Sequence, residues 1–314
     1  MMEHAEVWPF LRESPPLVLV NLAAGGGRAR AILPRIRKMF ESLGISAQFV
    51  ATKSAEELES AARHAISQDQ RLLFAMGGDG TFQALANGVF GADVVVGVLP
   101  VGGGNDFATA LGVPRDPLKA AEDMLRGRPR HADLVRARTA DGRERFYVGG
   151  GGVGLDAEAA SYASGSYRHL PGRIRYIASA LRALAGYLPL DVQVEFPGSE
   201  QGPATAKALL AGVLKTPTYG AGLRLAPDAT VDDGLLHVVL IESLSTFGVL
   251  KLLPRLLGTG ELRTSRVKRW RVKCVRLTTD RPCLFHGDGE ILGPTPVVLE
   301  VVPRAIQVLA PSVG

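Results

Sequence analysis

Apolar residues follow two different rhythms along this chain. In the first part, short unbroken runs alternate with stretches of helical spacing. Leu17-Val-Leu-Val-Asn21 is a continuous aliphatic run, the signature of a strand buried on both faces. Gly25-Gly26-Gly27 follows as a loop. Ile32, Ile36, Phe40 and Leu43 then recur at helical spacing and predict a helix from about Ala29 to Leu43, ended by Gly44. Ile45 to Ala51 predicts a second strand, and Ser54 stands where it can cap a helix beginning at Ala55. Leu72 to Met76 predicts a third strand, Phe82 to Val89 a helix, and Val94 to Leu99 a fourth strand with Pro100 to Asp106 as its loop. Alternation of this kind predicts a parallel sheet with helices on both faces.

After about Arg138 the rhythm changes. Asp141-Gly142 is a turn signal, and Phe146-Tyr-Val148 leads into the glycines 149–152. Long helices are expected at Arg173–Leu188, with Ile174, Ile177, Leu181, Leu184 and Leu188 as its apolar stripe, and at Thr246–Leu257, where Pro254 should kink or end it. Strands are expected at Val192–Phe196, Ala206–Leu214, Leu235–Ile241, Trp270–Leu277, Leu284–Phe285, Val297–Val302 and Ile306–Leu309. The fold class is therefore α/β: a parallel-sheet domain followed by a β-rich second domain. The expected boundaries are an extension over 1–14, an α/β domain over 15–138 joined by 304–314, and a β-rich domain over 139–303.

Composition narrows this picture. With 46% hydrophobic and 21% charged residues, a sizeable core is available and wholesale disorder is excluded. A formal net charge of +5 suits phosphorylated ligands or an anionic membrane surface and is too small to argue for nucleic acid. Cys274 and Cys283 have no metal-ligand spacing, which points to a reducing compartment. No apolar run approaches the ~20 residues of a spanning helix. The acidic N-terminus lacks a signal-peptide pattern, so a soluble cytoplasmic protein is expected.

Two glycine turns carry the candidate chemistry. The third strand stops at Gly77-Gly78-Asp79-Gly80-Thr81 and gives way to a helix. Glycines there let backbone N–H groups approach a phosphate, and the helix N-terminus adds partial positive charge. Asp79 suits a group that orients a water, a metal or a hydroxyl beside that phosphate; an ordinary βα turn with Asp79 as helix cap explains the motif equally well. The fourth strand runs into Gly102-Gly103-Gly104-Asn105-Asp106, again opening a helix. Two such turns on neighbouring strands can bracket a polyphosphate and a sugar. Right-handed crossovers should bring Asn21–Gly27, Thr52, Gly77–Thr81 and Gly102–Asp106 together at one edge of the sheet. There is no Walker lysine loop and no protein-kinase catalytic loop.

Acids in the second half suggest further roles. Asp232-Asp233-Gly234-Leu235 precedes a strong strand; a carboxylate with nearby carbonyls suits Mg²⁺, and a plain turn is the equal alternative. Asp288 and Glu290 form either a hairpin turn or a general base with its partner. His131, His169 and His237 read as structural or solvent-facing. The basic segment Arg263–Arg276, with Trp270 inside it, reads first as a solvated edge strand and second as a contact for anionic lipid.

The order and spacing of five motifs resemble the diacylglycerol kinase catalytic-domain family, soluble bacterial lipid kinases akin to sphingosine kinases and, more distantly, NAD kinases. The carriers are Gly77–Thr81, Gly103–Ala108, Ala132-Asp133-Leu134, Ala226–Leu235 and Gly287–Glu290. The resemblance implies that the first, parallel-sheet domain is nucleotide-binding and the β-rich second domain sandwich-like. It implies an ATP- and Mg²⁺-dependent kinase of diacylglycerol or a related lipid alcohol. It implies ATP along Gly77, Gly78, Asp79, Gly80 and Thr81, with help from Asn21, Thr52, Gly102, Gly103, Asn105 and Asp106. It makes Asp288 and Glu290 the catalytic pair, Glu290 accepting the proton and Asp79 assisting. It implies a structural Mg²⁺ held by Asp233 and by backbone oxygens near Thr230 and Leu235, with Asp133 in the same acidic network. The expected partners are a nucleotide and a lipid met transiently at the inner membrane surface, with a homodimer among the open assemblies. Leu22, Gly103 and Ala84 depart from the family pattern. A kinase of a soluble acceptor and a non-catalytic lipid- or nucleotide-binding regulator are the rival readings.

Overall fold

The fold was obtained as a computed structural model, which describes residues 15–167, 172–220, 222–244 and 265–311 together with positions 170 and 248. The extension 1–14, His169 and, apart from Gly248, the helix expected at Thr246–Leu257 lie outside the described residues. The chain divides into two compact units, one made of Met1–Ala132 with Arg304–Gly314, the other of Asp133–Pro303.

The first unit runs β1 (Leu17–Asn21), α1 (Arg28–Ser42), β2 (Gln48–Thr52), α2 (Ala55–Ser67), β3 (Leu72–Gly77), α3 (Asp79–Val89), β4 (Val95–Pro100), α4 (Asp106–Ala110) and α5 (Pro117–Leu125). Its strands pair in parallel in the order β2-β1-β3-β4. Beyond β4, Gln307 and Val308 from the end of the chain pair in parallel with Val95 and Val96. β3 and β4 are buried along their whole length, as their unbroken apolar runs require, and β2 at the edge is largely exposed until Thr52. Local signals act as read. Ser54 Oγ accepts the Glu57 N–H at 3.2 Å and caps α2. Gly44 adopts φ 71° just past α1. Phe40 of α1 packs edge-on against Phe49 of β2 and Phe74 of β3, with centroids 5.6 and 5.8 Å apart. Burying such a ring contributes about 1.5–3 kcal/mol. Helix α5 was not anticipated, although Asp116 caps it through the Leu118 N–H at 2.9 Å and Pro117 opens it.

The second unit contains β5 (Arg128–Thr139, which begins in the first), β6 (Glu144–Tyr147), β7 (Gly150–Gly154), α6 (Leu155–Ser164), α7 (Gly172–Leu184), β8 (Leu190–Glu195), β9 (Ala204–Leu214), β10 (Leu236–Glu242), β11 (Val267–Val272), β12 (Cys274–Thr279), β13 (Leu284–Gly287), β14 (Glu290–Pro294) and β15 (Val297–Ala310, which ends in the first). Its strands run β14-β13-β7-β9-β8-β12-β15, with β10 and β11 continuing from β9. The long strand β9 organises the unit. Its first part pairs with β8; its second part pairs with β7 on one side and β10 on the other. Val192, Val194, Val213, Val238, Leu277, Phe285 and Leu299 fill the core between the strands.

Three expectations need correction here. The single strand expected at Trp270–Leu277 is two, because the chain changes partner at Lys273: β11 pairs with β10, β12 with β8 and β15. The two strands expected at Val297–Val302 and Ile306–Leu309 are one, which continues through Pro303 and Arg304, the latter at φ 52°. Helix α7 ends at Leu184, not Leu188. Among the described residues β11 is an edge strand, and Trp270 packs on Phe196 with ring centroids 5.2 Å apart, so the edge-strand reading holds for Val267–Val272, whereas Arg276 lies in β12, paired on both sides.

Candidate active site

The turns after β3 and β4 meet. The carbonyl of Gly77 accepts the N–H groups of Val101 (2.8 Å) and Gly102 (3.2 Å). A Cβ on Gly102 would lie 2.6 Å from Cα of Gly78 and 2.8 Å from Oδ1 of Asn105, so only glycine permits this approach. Asp79, the first residue of α3, reaches across to the second turn. Its Oδ2 accepts the Asn105 N–H at 2.7 Å and its Oδ1 the Phe107 N–H at 3.3 Å. Asn105 is left-handed at φ 57° and closes its own loop: Oδ1 accepts the Gly102 N–H (3.1 Å), and Nδ2 donates to the Gly102 carbonyl (2.9 Å). Asp106 opens α4 and is buried.

The first two strands join the same edge. Thr81 Oγ1 accepts the Gly78 N–H (3.3 Å) and Nδ2 of Asn21 (3.4 Å). Thr52 lies opposite Asn21 in register, and its hydroxyl donates to the Val20 carbonyl at 3.4 Å. Gly25 sits against the Val101 carbonyl. Asn21, Thr52, Gly77, Gly78, Asp79, Gly80, Thr81, Gly102, Gly103, Asn105 and Asp106 therefore gather past the carboxyl ends of β1 to β4, where open α/β sheets bind ligands. The 11-residue helix α3 directs its positive end there. Asp79, expected to orient a small ligand, is engaged in holding the second turn.

In the second unit, Asp288-Gly289 is the two-residue turn of the β13–β14 hairpin, with Gly287 paired to Glu290 and φ values of 52° and 88° at the turn. It is more than a turn. Asp288 Oδ2 accepts the Val148 N–H (2.7 Å), and its Oδ1 accepts those of Gly149 (2.9 Å) and Gly150 (3.2 Å). A Cβ on Gly149 would lie 2.8 Å from that oxygen, which explains a glycine beside it. Burial pushes the Asp288 carboxyl up to about 7, opposed by the three N–H donors, which favour its charged form. Glu290 opens β14 and is exposed. Nε2 of buried His286 lies 2.7 Å from the Tyr219 hydroxyl, and the rings stack.

The residues expected to hold a structural Mg²⁺ also come together, but around another cation. Lys215, wholly buried at the end of β9, directs Nζ at Oδ2 of Asp133 (2.8 Å), at Oδ1 of Asp233 and at the Leu235 carbonyl (3.0 Å). Thr230 supplies its N–H to Asp233 Oδ2 (3.3 Å). Burial would raise the Asp233 carboxyl, but hydrogen bonds from His237, Lys215 and the Leu235 N–H outweigh it and hold that carboxyl well below the usual range. The donor set as folded does not fit a divalent ion, because the ammonium stands among its oxygens.

Lys215, Tyr219, His237 and His286 were not anticipated as partners of the acids. The only signal for Lys215 was a lysine directly after the apolar run 208–214, since lysine is almost never fully buried unless paired.

A parallel-sheet unit with clasped glycine turns, followed by an antiparallel β-rich unit whose aspartate hairpin turn is anchored by backbone N–H groups, defines a class. The family model described as the diacylglycerol kinase catalytic domain matches residues 15–137, and that described as the YegS C-terminal NAD kinase beta sandwich-like domain matches residues 151–310. The chain belongs to the diacylglycerol kinase catalytic-domain family, in the form that carries the YegS-type second domain. It is 28% identical over 302 residues to diacylglycerol kinase of Mycobacterium tuberculosis (strain ATCC 25618 / H37Rv), covering 94% of this chain and 95% of that one. It is 26% identical over 299 residues to diacylglycerol kinase of Bacillus subtilis (strain 168), covering 94% and 96%. Its fold matches the crystal structure of a diacylglycerol kinase from Bacillus anthracis str. Sterne with TM-score 0.72, at 18% identity, over 95% of this chain and 97% of that one. No helix among the described residues is long and apolar enough to cross a membrane.

Proposed function

We propose that this chain is an ATP- and Mg²⁺-dependent lipid kinase that phosphorylates a hydroxyl of diacylglycerol or a related lipid alcohol. The observation that carries the reading is the pair of turns that Asp79 clasps through the Asn105 N–H. Their glycines let the two turns close directly on each other, and α3 points its N-terminus there. That cradle fits a nucleoside triphosphate, with Asn21, Thr52 and Thr81 at its side and Asp106 at the start of α4. Mg²⁺ accompanying the nucleotide would neutralise charge on the transferring phosphoryl group. The acceptor hydroxyl attacks the γ-phosphorus in line. The bond from that phosphorus to the bridging oxygen breaks, ADP leaves, and the hydroxyl proton passes to Glu290, with Asp288 as its partner. The names of the relatives support diacylglycerol as the acceptor class, and the formal charge of +5 suits a protein that visits an anionic inner membrane surface from the cytoplasm.

The test is phosphorylation of a total lipid extract with radiolabelled ATP, the product identified by mass. Label in a lipid phosphate that disappears with Glu290→Gln is the expected result. The NAD kinase-like character of the second domain favours one other reading, a soluble acceptor. Label transferred to NAD and none to lipid would replace the proposal with that one.

A further inference from the structure

We propose that the ammonium of Lys215 is a built-in substitute for a structural divalent cation, so that the second unit folds around its acid cluster without metal. Ammonium has three N–H donors, and the three acceptors of Lys215 are Asp133 Oδ2, Asp233 Oδ1 and the Leu235 carbonyl. The oxygens are saturated in turn. Asp133 Oδ2 takes Lys215 and the Gly234 N–H (2.8 Å); Asp233 Oδ1 takes Lys215 and the Leu235 N–H (3.0 Å); Asp233 Oδ2 takes Nε2 of His237 (2.7 Å) and the Thr230 N–H (3.3 Å). A carboxylate oxygen has two lone pairs, so each of these three is spoken for. Mg²⁺ demands near-octahedral oxygens at about 2.0–2.1 Å and would have to displace the ammonium to reach them.

Position explains how the lysine gets there. Its backbone N–H donates to the Gly149 carbonyl at 2.7 Å, extending the β7–β9 pairing by one residue and fixing where the side chain starts. Asp133 is anchored likewise, its N–H donating to the Val231 carbonyl at 2.7 Å. A buried lysine is costly unless its charge is matched, and here the match joins three separate segments, 133, 215 and 230–235. The cation is covalently part of the chain and cannot be chelated.

The inference does not rest on the kinase reading, and its test uses the full chain without nucleotide, so that a metal requirement of phosphoryl transfer does not enter. Thermal unfolding is compared in EDTA and in millimolar MgCl₂ or CaCl₂. The wild type is expected to unfold at the same temperature in both. Lys215→Ser, which opens room and leaves the acids unmatched, is expected to lose on the order of 10 °C in EDTA and to recover part of it with either metal. Lys215→Met, which fills the room without charge, is expected to lose stability with no metal response. Lys215→Ser protein recovered only from metal-containing buffer supports the proposal equally. A wild type that melts earlier in EDTA overturns it, as does a Lys215→Ser or Lys215→Met protein as stable as wild type in EDTA.

Discussion

The backbone N–H of Asn105 donates to Oδ2 of Asp79 at 2.7 Å, across 26 residues of sequence. One side chain thus sets the distance between the two glycine turns. Asp79→Asn can offer an oxygen to only one of the two N–H groups it now serves, and its amide turns a donor toward the other. We expect a loss of about 1–3 kcal/mol in stability. ATP affinity should fall about tenfold or more, an equilibrium change of roughly 1.4 kcal/mol. Calorimetric titration with ATP and a thermal melt check both; unchanged affinity would remove Asp79 from the proposed site.

Gly102→Ala puts a methyl 2.6 Å from Cα of Gly78, where only backbone can yield. Overpacking of this kind costs about 1–3 kcal/mol. The expected outcome is a lower melting temperature together with lost ATP binding. Gly202→Ala is the control, since nothing lies within 4 Å of its added Cβ, and it should match wild type in both measurements.

Asp288 is raised by burial to about 7 from an ordinary value of 3.8. For a carboxyl raised on folding, the stabilising contribution is complete below the unfolded value and is lost as pH rises through the folded one. The melting temperature of wild type relative to Asp288→Asn should therefore fall as pH rises from about 4 and level off above about 7, steepest midway between the two values. If the ionised form assists catalysis, kcat/KM should rise over the same interval in wild type and lose that limb in Asp288→Asn. Parallel pH–stability curves for the two proteins would contradict the assignment.

Asp233 behaves in the opposite sense. Its carboxyl is held down by His237, Lys215 and the Leu235 N–H, so its contribution is present above the ordinary value of 3.8 and is lost as pH falls toward its lower folded value. The stability gap between wild type and Asp233→Asn should be constant near neutrality and narrow below about pH 4. Acid-unfolding curves followed by circular dichroism would show this directly.

The first unit was legible because its code is local. Unbroken apolar runs marked β1, β3 and β4, and Ser54 and Gly44 punctuated the helices where the structure has them. The second unit was harder to read for identifiable reasons. β7 is Gly150-Gly-Gly-Val-Gly154, a strand with almost no side chains to show a period; its glycines serve close packing, as at Gly150 against Tyr219 and Leu214. The partner exchange at Lys273 leaves no mark in an evenly basic and apolar segment. Two strands were expected, Val297–Val302 and Ile306–Leu309, although β15 runs unbroken through both. At the candidate site, residue types and spacing picked out Asp233 and Asp288 as notable acids, and the family resemblance added Asp133. They could not show what each acid holds, because Lys215 and the Val148–Gly150 backbone reach them only through the fold.

Strand β15 leaves the second unit and ends as the neighbour of β4, through Gln307 and Val308. On the ribosome, β4 must therefore wait with one flank unmatched while some two hundred further residues are translated. An apolar strand edge left bare is a template for aggregation, so the nascent chain is at its most vulnerable in that interval. Removing the final dozen residues should make this hazard permanent, which argues for placing any purification tag ahead of the first strand.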